Sequence, residues 1–246
     1  MPLLIALQFL TRLPVRLWRL PDAGESGRSL LWYPLVGLLL GVALLLGQWL
    51  LGGVSVWLQA ALLLTLWVWL SGGLHLDGLA DTFDGLAGGR TKEDRLRIMK
   101  DSSTGSFGLV AVVLALLLKF AFLQTLQGER LLAALFFSPL LSRWSMVVLM
   151  FFTPYARKTE SLGKPFVEQI AGGQLILATV FTVAAGFFYP STFFLVLVLP
   201  VLLFVFLLRQ LFLQKLGGIT GDCLGATNEL LELAVLFLLL LPFPLH

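Results

Sequence analysis

The sequence predicts an all-α, polytopic membrane helix bundle of about 6–7 transmembrane helices plus an N-terminal amphipathic helix, forming a single integral-membrane domain over residues 1–246. Three observations carry that expectation. The 246 residues are 58% hydrophobic and only 13% charged, with a mean hydropathy of +0.94, a balance typical of membrane proteins and foreign to soluble domains. The apolar residues fall into runs near the roughly 20 residues that a helix needs to cross a bilayer. The connections between these runs alternate between short, nearly uncharged turns and longer basic loops.

The opening MPLLIALQFLTRLPVRLWRL has fewer than ten apolar residues before Arg12, no basic leader and no small-residue cleavage site, so it is not expected to act as a signal peptide. Arg12, Arg16 and Arg19 recur at near-helical intervals beside Leu, Ile, Phe and Trp. That pattern predicts an interfacial amphipathic segment held at anionic headgroups. Spans are then expected near 31–51, 54–71, 107–126, 131–152, 174–189 and 193–212, with a seventh beginning near 219. Gly37-x-x-x-Gly41 in the first of these is read as a helix-contact face.

The uncharged turns are Gly52-Gly53, 127–130 and Pro190-Ser191. The basic connections carry Arg12, Arg16, Arg19 and Arg28; then Arg90, Lys92, Arg95, Arg97 and Lys100; then Arg157, Lys158 and Lys164; and finally Arg209 and Lys215. Only Arg130 lies on the opposite side. The positive-inside rule places the basic face in the cytoplasm. The lone Cys223 forbids an internal disulfide and is read as inert packing.

Most of the polar chemistry is gathered in 72–108, GGLHLDGLADTFDGLAGGRTKEDRLRIMKDSSTGSFG. Asp77, Asp81 and Asp84 stand at i, i+4 and i+7, which on a helix puts them in one stripe about 10 Å long. Three carboxylates on one face repel unless a cation sits among them. Mg²⁺ is the expected one, because it takes oxygen ligands and bridges to substrate phosphates. A solvated helix face is the bland alternative, but the apolar neighbours Leu76, Leu79, Phe83 and Leu86 and the dense glycines favour a closely packed site. His75 lies about 200° around the helix from Asp77 and is assigned to packing. Lys100-Asp101-Ser102-Ser103-Thr104-Gly105 places another carboxylate among hydroxyls and glycines just before an apolar segment. Such a run presents N–H groups to an anion, or simply caps the helix.

Two cations interrupt apolar segments, Lys119 and Arg143. Charge within the bilayer must face a cavity or a partner. Arg143, beside Trp144, is the better candidate for binding phosphate. In the last segment Asp222, Glu229 and Glu232 occupy the first half with Asn228, and Asp222 and Glu229 at i, i+7 share a face that should turn toward the Asp77 stripe. The structural alternative is that Glu229 and Glu232 neutralise Lys119 or Arg143.

The residues alone point to phosphoryl transfer, in which carboxylates hold Mg²⁺, basic groups bind a diphosphate and an alcohol attacks in line. A secondary transporter is disfavoured because no internal repeat is visible and the acids cluster at one face. A CDP-alcohol phosphotransferase is disfavoured because its D-G-x-x-A-R pattern fails: Ala80-Asp81 stands one position early and no Arg follows.

GGLHLDGLADTFDGL and RIMKDSSTGSFG resemble the cobalamin synthase family, the adenosylcobinamide-GDP ribazoletransferases. So, in the same order, do LQFLTRLPV, YPLVGLLLG, Arg143-Trp144, Pro154-Tyr155-Ala156-Arg157 and GGITGDCLGATNELLE. The resemblance covers essentially the whole chain. It implies adenosylcobinamide-GDP and α-ribazole, or its 5′-phosphate, as substrates and a multi-pass protein of the bacterial inner membrane with its site facing the cytoplasm. A homo-oligomer is compatible with it and nucleic acid is not expected as a partner. With the residue reading, the expected site comprises Asp84 and Asp101 as catalytic groups and Asp77, Asp81, Asp84, Asp222 and Glu229 as Mg²⁺ ligands. Lys100, Ser102, Ser103, Arg143, Arg157 and Asn228 are expected to contact substrate or phosphate.

Overall fold

The computed structural model describes residues 1–101, 103–159, 161–188 and 191–242, and among these it is helical with no strand beyond one isolated bridge between Tyr155 and Ile219. In chain order the helices are α1 (Pro2–Leu10), α2 (Ala23–Ser29), α3 (Tyr33–Leu50), α4 (Val56–Ser71), α5 (Leu74–Gly88) and α6 (Lys92–Ile98). They continue with α7 (Ser106–Thr125), α8 (Gly128–Phe152), α9 (Lys164–Glu168), α10 (Gly172–Phe188), α11 (Ser191–Leu216) and α12 (Gly221–Leu240).

The bundle is organised around α8, which is buried almost continuously from Leu131 to Met150. A helix that is apolar all round belongs in such a place. α3 crosses it through the expected glycine face: a Cβ on Gly37 would stand 2.2 Å from the Pro139 carbonyl oxygen, and one on Gly41 3.0 Å from that of Leu135. Only glycine lets the two backbones approach so closely. α7 and α11 lie outside. Leu109, Val113 and Leu117 on one, and Leu195, Leu199 and Phe206 on the other, are exposed as a lipid-facing surface would be.

Among the described residues five segments are long and apolar enough to cross a membrane: Ala23–Leu50, Ser106–Thr125, Gly128–Phe152, Thr192–Leu216 and Gly221–Leu240. The chain is therefore a multi-pass membrane protein. Two expected spans differ from this. The 54–71 run forms α4 but turns through 86° into α5, and only if the bent pair counts as one span does the number reach six. Gly72 and Gly73 make that turn with φ of 69° and 73°, left-handed values that cost any residue with a Cβ. α10 has 17 residues, about 25 Å of helix at 1.5 Å per residue, somewhat short of the hydrocarbon thickness. The 174–189 span ends at Tyr189, outside the described residues.

The N-terminal segment also differs from the expected surface helix. α1 buries Ile5, Ala6 and Leu10 in the main core, and the arginines follow it in an irregular stretch. There Arg19 forms two 2.8 Å bonds to Glu25, which also closes a capping box with Asp22 at the start of α2. Four basic connections meet at one end of the bundle. The Arg12 N–H donates to the Leu70 carbonyl (2.8 Å), Arg95 to that of Lys215 (3.3 Å) and Arg157 to that of Met99 (3.2 Å), while the Ala156 N–H donates to Ile219 (2.8 Å). Arg130 is at the opposite end, bonded to the Leu239 and Leu241 carbonyls.

Candidate active site

Site geometry begins where α5 and α12 cross. A Cβ on Gly78 would lie 2.8 Å from the Asp222 carbonyl oxygen, and one on Gly225 3.2 Å from the Cα of Gly78 and of His75. The two backbones touch there, and the first turn of α12 is laid alongside the acid stripe of α5. Thr220 caps α12 by accepting from the Cys223 N–H at 3.3 Å, and its hydroxyl also donates to Asp222 at 3.2 Å. Arg157, in the loop after α8, donates to the same Asp222 carboxylate at 2.9 Å. Charge-assisted bonds of this kind hold a side chain in one orientation.

Beside this pair opens a cavity of about 250 Å³ whose polar lining includes His75, Asp77, Tyr155, Arg157, Ser161 and Asp222. Asp77 is exposed and Asp81 half-buried. Asp81 stands in the field of Asp222, Asp77 and Asp84, with Arg157 as the opposing cation. This end of the bundle thus concentrates negative charge around partly desolvated oxygen donors, which suits a divalent cation of the Mg²⁺ type. Among the described residues no three His, Cys, Asp or Glu side chains stand close enough to hold an ion as they are. The set fits by donor chemistry, and ligation would require Asp77, Asp81 and Asp222 to converge further.

The third member of the stripe is placed differently. Asp84 is 7% exposed and accepts the N–H of Gly105 at 2.7 Å and of Gly108 at 2.9 Å, one on each oxygen. The N-cap residue of α7 is Gly105, which has no side chain to cap with, so a carboxylate from α5 fills that role and meets the positive end of the helix dipole. The close approach explains both glycines: a Cβ on either would fall within 2.4 Å of an Asp84 oxygen. Asp84 therefore anchors α7, a role that the expectation of a catalytic group and metal ligand did not include.

Glu229, Arg143 and Asn228, expected as a metal ligand and as phosphate contacts, stand in a buried network. Lys119 reaches Glu229 at 2.7 Å and also pairs with Glu232; Arg143 pairs with Glu232 and bonds the Ser142 hydroxyl; Asn228 donates to Glu232 at 3.1 Å. Lys119 also sits 5.0 Å from the centre of the Trp67 ring, within cation–π range. All four charges are buried. Glu229 does share a helix face with Asp222, but seven residues of rise carry it about 10 Å farther along α12. There it meets Lys119 and Arg143, whose burial demands partners. The pairing raised as the structural alternative for these glutamates is the arrangement found, and Arg143 is fully buried within it.

Lys100, Asp101 and Ser103 are exposed and lie outside the cavity lining, while Ser102 lies outside the described residues. Asp101 accepts from the Ser103 hydroxyl at 2.7 Å and from its N–H at 3.0 Å; those bonds, the hydroxyl first, hold its carboxyl below the usual carboxylate range. The adjacent Met99 is tied through its carbonyl to Arg157, so this loop borders the Asp222 pair. Cys223 is fully buried beneath the α12 cap. Sequence reasoning gave Phe9, Ser161 and Leu162 no role, yet all three line the cavity. No spacing rule connects them to α5; they arrive from α1 and the loop before α9.

Comparison with known proteins matches residues 2–240 to the model of the cobalamin-5-phosphate synthase family. An adenosylcobinamide-GDP ribazoletransferase of Pseudomonas fluorescens is 48% identical over 241 residues, 96% of this chain and 97% of that protein. One of Pseudomonas aeruginosa is 47% identical over 242 residues, 97% of each chain. No solved structure matches. A match over nearly the full length, with the motifs of α5 and α12 meeting in space, has one consequence: the chain belongs to the cobalamin-5-phosphate synthase family.

Proposed function

We propose that this protein joins α-ribazole, or its 5′-phosphate, to adenosylcobinamide-GDP and releases GMP. The observation that carries the reading at the level of residues is the Arg157–Asp222 pair on the wall of a cavity that also exposes Asp77. In this reaction a ribose hydroxyl oxygen forms a bond to the phosphorus on the cobinamide side of the diphosphate. The bond from that phosphorus to the bridging oxygen breaks, GMP leaves with the electron pair, and the hydroxyl proton is given up. Such chemistry needs positioning and charge neutralisation more than covalent help.

Arg157 would draw the diphosphate to the cavity mouth, and Asp222 would keep the guanidinium aimed there until it arrives. Asp77, Asp81 and Asp222 would hold Mg²⁺, which when bound offsets charge on the phosphates. Lys100, Asp101 and Ser103 border this mouth and would meet the diphosphate from outside. Asp84, Glu229, Asn228 and Arg143 would act through the scaffold. The basic loops at this end support, by the positive-inside rule, a site that would face the cytoplasm from the inner membrane.

The deciding experiment supplies purified protein with both substrates and Mg²⁺ and follows GMP by chromatography. GMP should accumulate in equal amount with the joined product and only when both substrates are present. GMP formation that ignores the ribazole would indicate a hydrolase and overturn the reading.

A further inference from the structure

We propose that the cavity beside Asp222 is the subsite for the acceptor nucleoside, and that His75 is the side chain that recognises it. This rests on the transferase reading and adds which of the two substrates the cavity takes. Its volume, about 250 Å³, is below the roughly 300–1,000 Å³ of sites for drug-sized ligands. A nucleoside of one heteroaromatic base and one ribose matches that space. A corrin macrocycle carrying a nucleotide does not, and must stay at the mouth with only its diphosphate reaching in.

The lining divides in the way a nucleoside requires. Phe9, Met146, Leu74 and Leu162 supply apolar surface for a flat base, and a thioether against a ring edge is a favourable contact. Phe9 is held in place by neighbouring rings, with its centroid 4.9 Å from that of Phe166 and 6.5 Å from that of Tyr33. Asp77, Arg157 and Asp222 supply the polar rim where a ribose hydroxyl must meet the diphosphate.

Between these regions stands His75, 2% exposed, with neither ring nitrogen hydrogen-bonded to the protein. Buried polar atoms are nearly always satisfied; both nitrogens are unpaired and closed off from solvent, while the residue itself lines the cavity, so a turn of the ring would bring one of them to a ligand there. Its backbone is pinned against α12 at Gly225, and the cations and glutamate of the buried network lie near it. The backbone is thereby fixed, and rotation of the side chain toward the cavity lets an incoming hydroxyl or base nitrogen complete the hydrogen bonding of the imidazole. His75 is a recognition and positioning residue in this account and takes no part in bond making.

The test compares full-length wild-type, His75→Phe, His75→Gln and Leu162→Trp proteins in detergent. GMP release is measured while α-ribazole is varied at saturating adenosylcobinamide-GDP, and then the reverse. His75→Phe should raise the KM for α-ribazole at least tenfold, leave the KM for the donor within twofold, and keep the wild-type unfolding temperature. His75→Gln, which retains hydrogen-bonding atoms, should recover most of the loss. Leu162→Trp obstructs the cavity from a position that is 87% exposed, so it should show the same acceptor-specific rise even if His75→Phe fails to fold. An unchanged acceptor KM in these variants, or an equal rise for the donor, would overturn the assignment. Should wild-type protein release no GMP, the transferase reading falls separately; calorimetric binding of α-ribazole alone, saturable in wild type and lost in His75→Phe, would still support the subsite, and its absence would refute it.

Discussion

Gly78 of α5 and Gly225 of α12 meet backbone to backbone, with a Cβ on either falling 3.2 Å from the Cα of the other. That contact brings Asp222 to the acid stripe and sets the width of the cavity. Alanine at Gly78 would also meet the Asp222 carbonyl at 2.8 Å. Overpacking of this kind costs about 1–3 kcal/mol. Gly78→Ala should therefore reduce turnover at least tenfold with a modest fall in thermal stability, and a variant with wild-type turnover would show that the crossing does not set the site.

Asp77, Asp81 and Asp222 should each be needed for transfer without being needed for folding. Asparagine at any one should lower GMP release about 100-fold or more, equivalent to about 2.7 kcal/mol of transition-state stabilisation, while size-exclusion profile and unfolding temperature stay near wild type. Near-normal turnover of Asp81→Asn at saturating Mg²⁺ would remove it from the proposed ligand set.

Asp84 should behave in the opposite sense. Asp84→Ala leaves the Gly105 and Gly108 N–H groups without their acceptor, a loss of about 1–2 kcal/mol by analogy with N-cap deletions. The unfolding temperature should drop, and activity should fall with it. A stable Asp84→Ala protein lacking activity would return Asp84 to the chemistry.

The buried network is the place where a single isosteric change should do most damage. Glu232 bonds Lys119, Arg143 and Asn228, so Glu232→Gln leaves Arg143 away from water without its carboxylate partner and Lys119 with Glu229 alone. Breaking a buried ion pair costs about 3–5 kcal/mol. Replacing Lys119 and Glu229 together, as Lys119→Met with Glu229→Gln, keeps the Arg143–Glu232 pair and should be tolerated far better. Equal stability of the Glu232→Gln single variant and the Lys119→Met/Glu229→Gln double variant in thermal melts would contradict the network's role.

Topology reporters fused after Arg97 and after Lys215 should both report the cytoplasm, because the two segments are joined by the Arg95–Lys215 bond and carry the basic residues. A periplasmic signal from either would reverse the proposed orientation.

Local composition and spacing were enough to establish a helical membrane protein, the position of nearly every apolar segment, the glycine face on α3 and the concentration of acids in two motifs. These properties depend on neighbours within a few residues, since a helix's periodicity and the length needed to cross a bilayer are written along the chain. The family resemblance supplied the substrates, which no spacing could. What sequence periodicity could not decide was the use of each acid. Asp77, Asp81 and Asp84 share one stripe, but only the tertiary fold places the start of α7 against the last of them and turns it into a cap. Asp222 and Glu229 share one face, but the packing of α7 and α8 against α12 gives the first to Arg157 at the cavity and the second to Lys119 in the core. The physical reason is that a carboxylate's role follows from the donors and cations that reach it. For Asp84, Asp222 and Glu229 the partners that separate their roles come from 21 to 110 positions away.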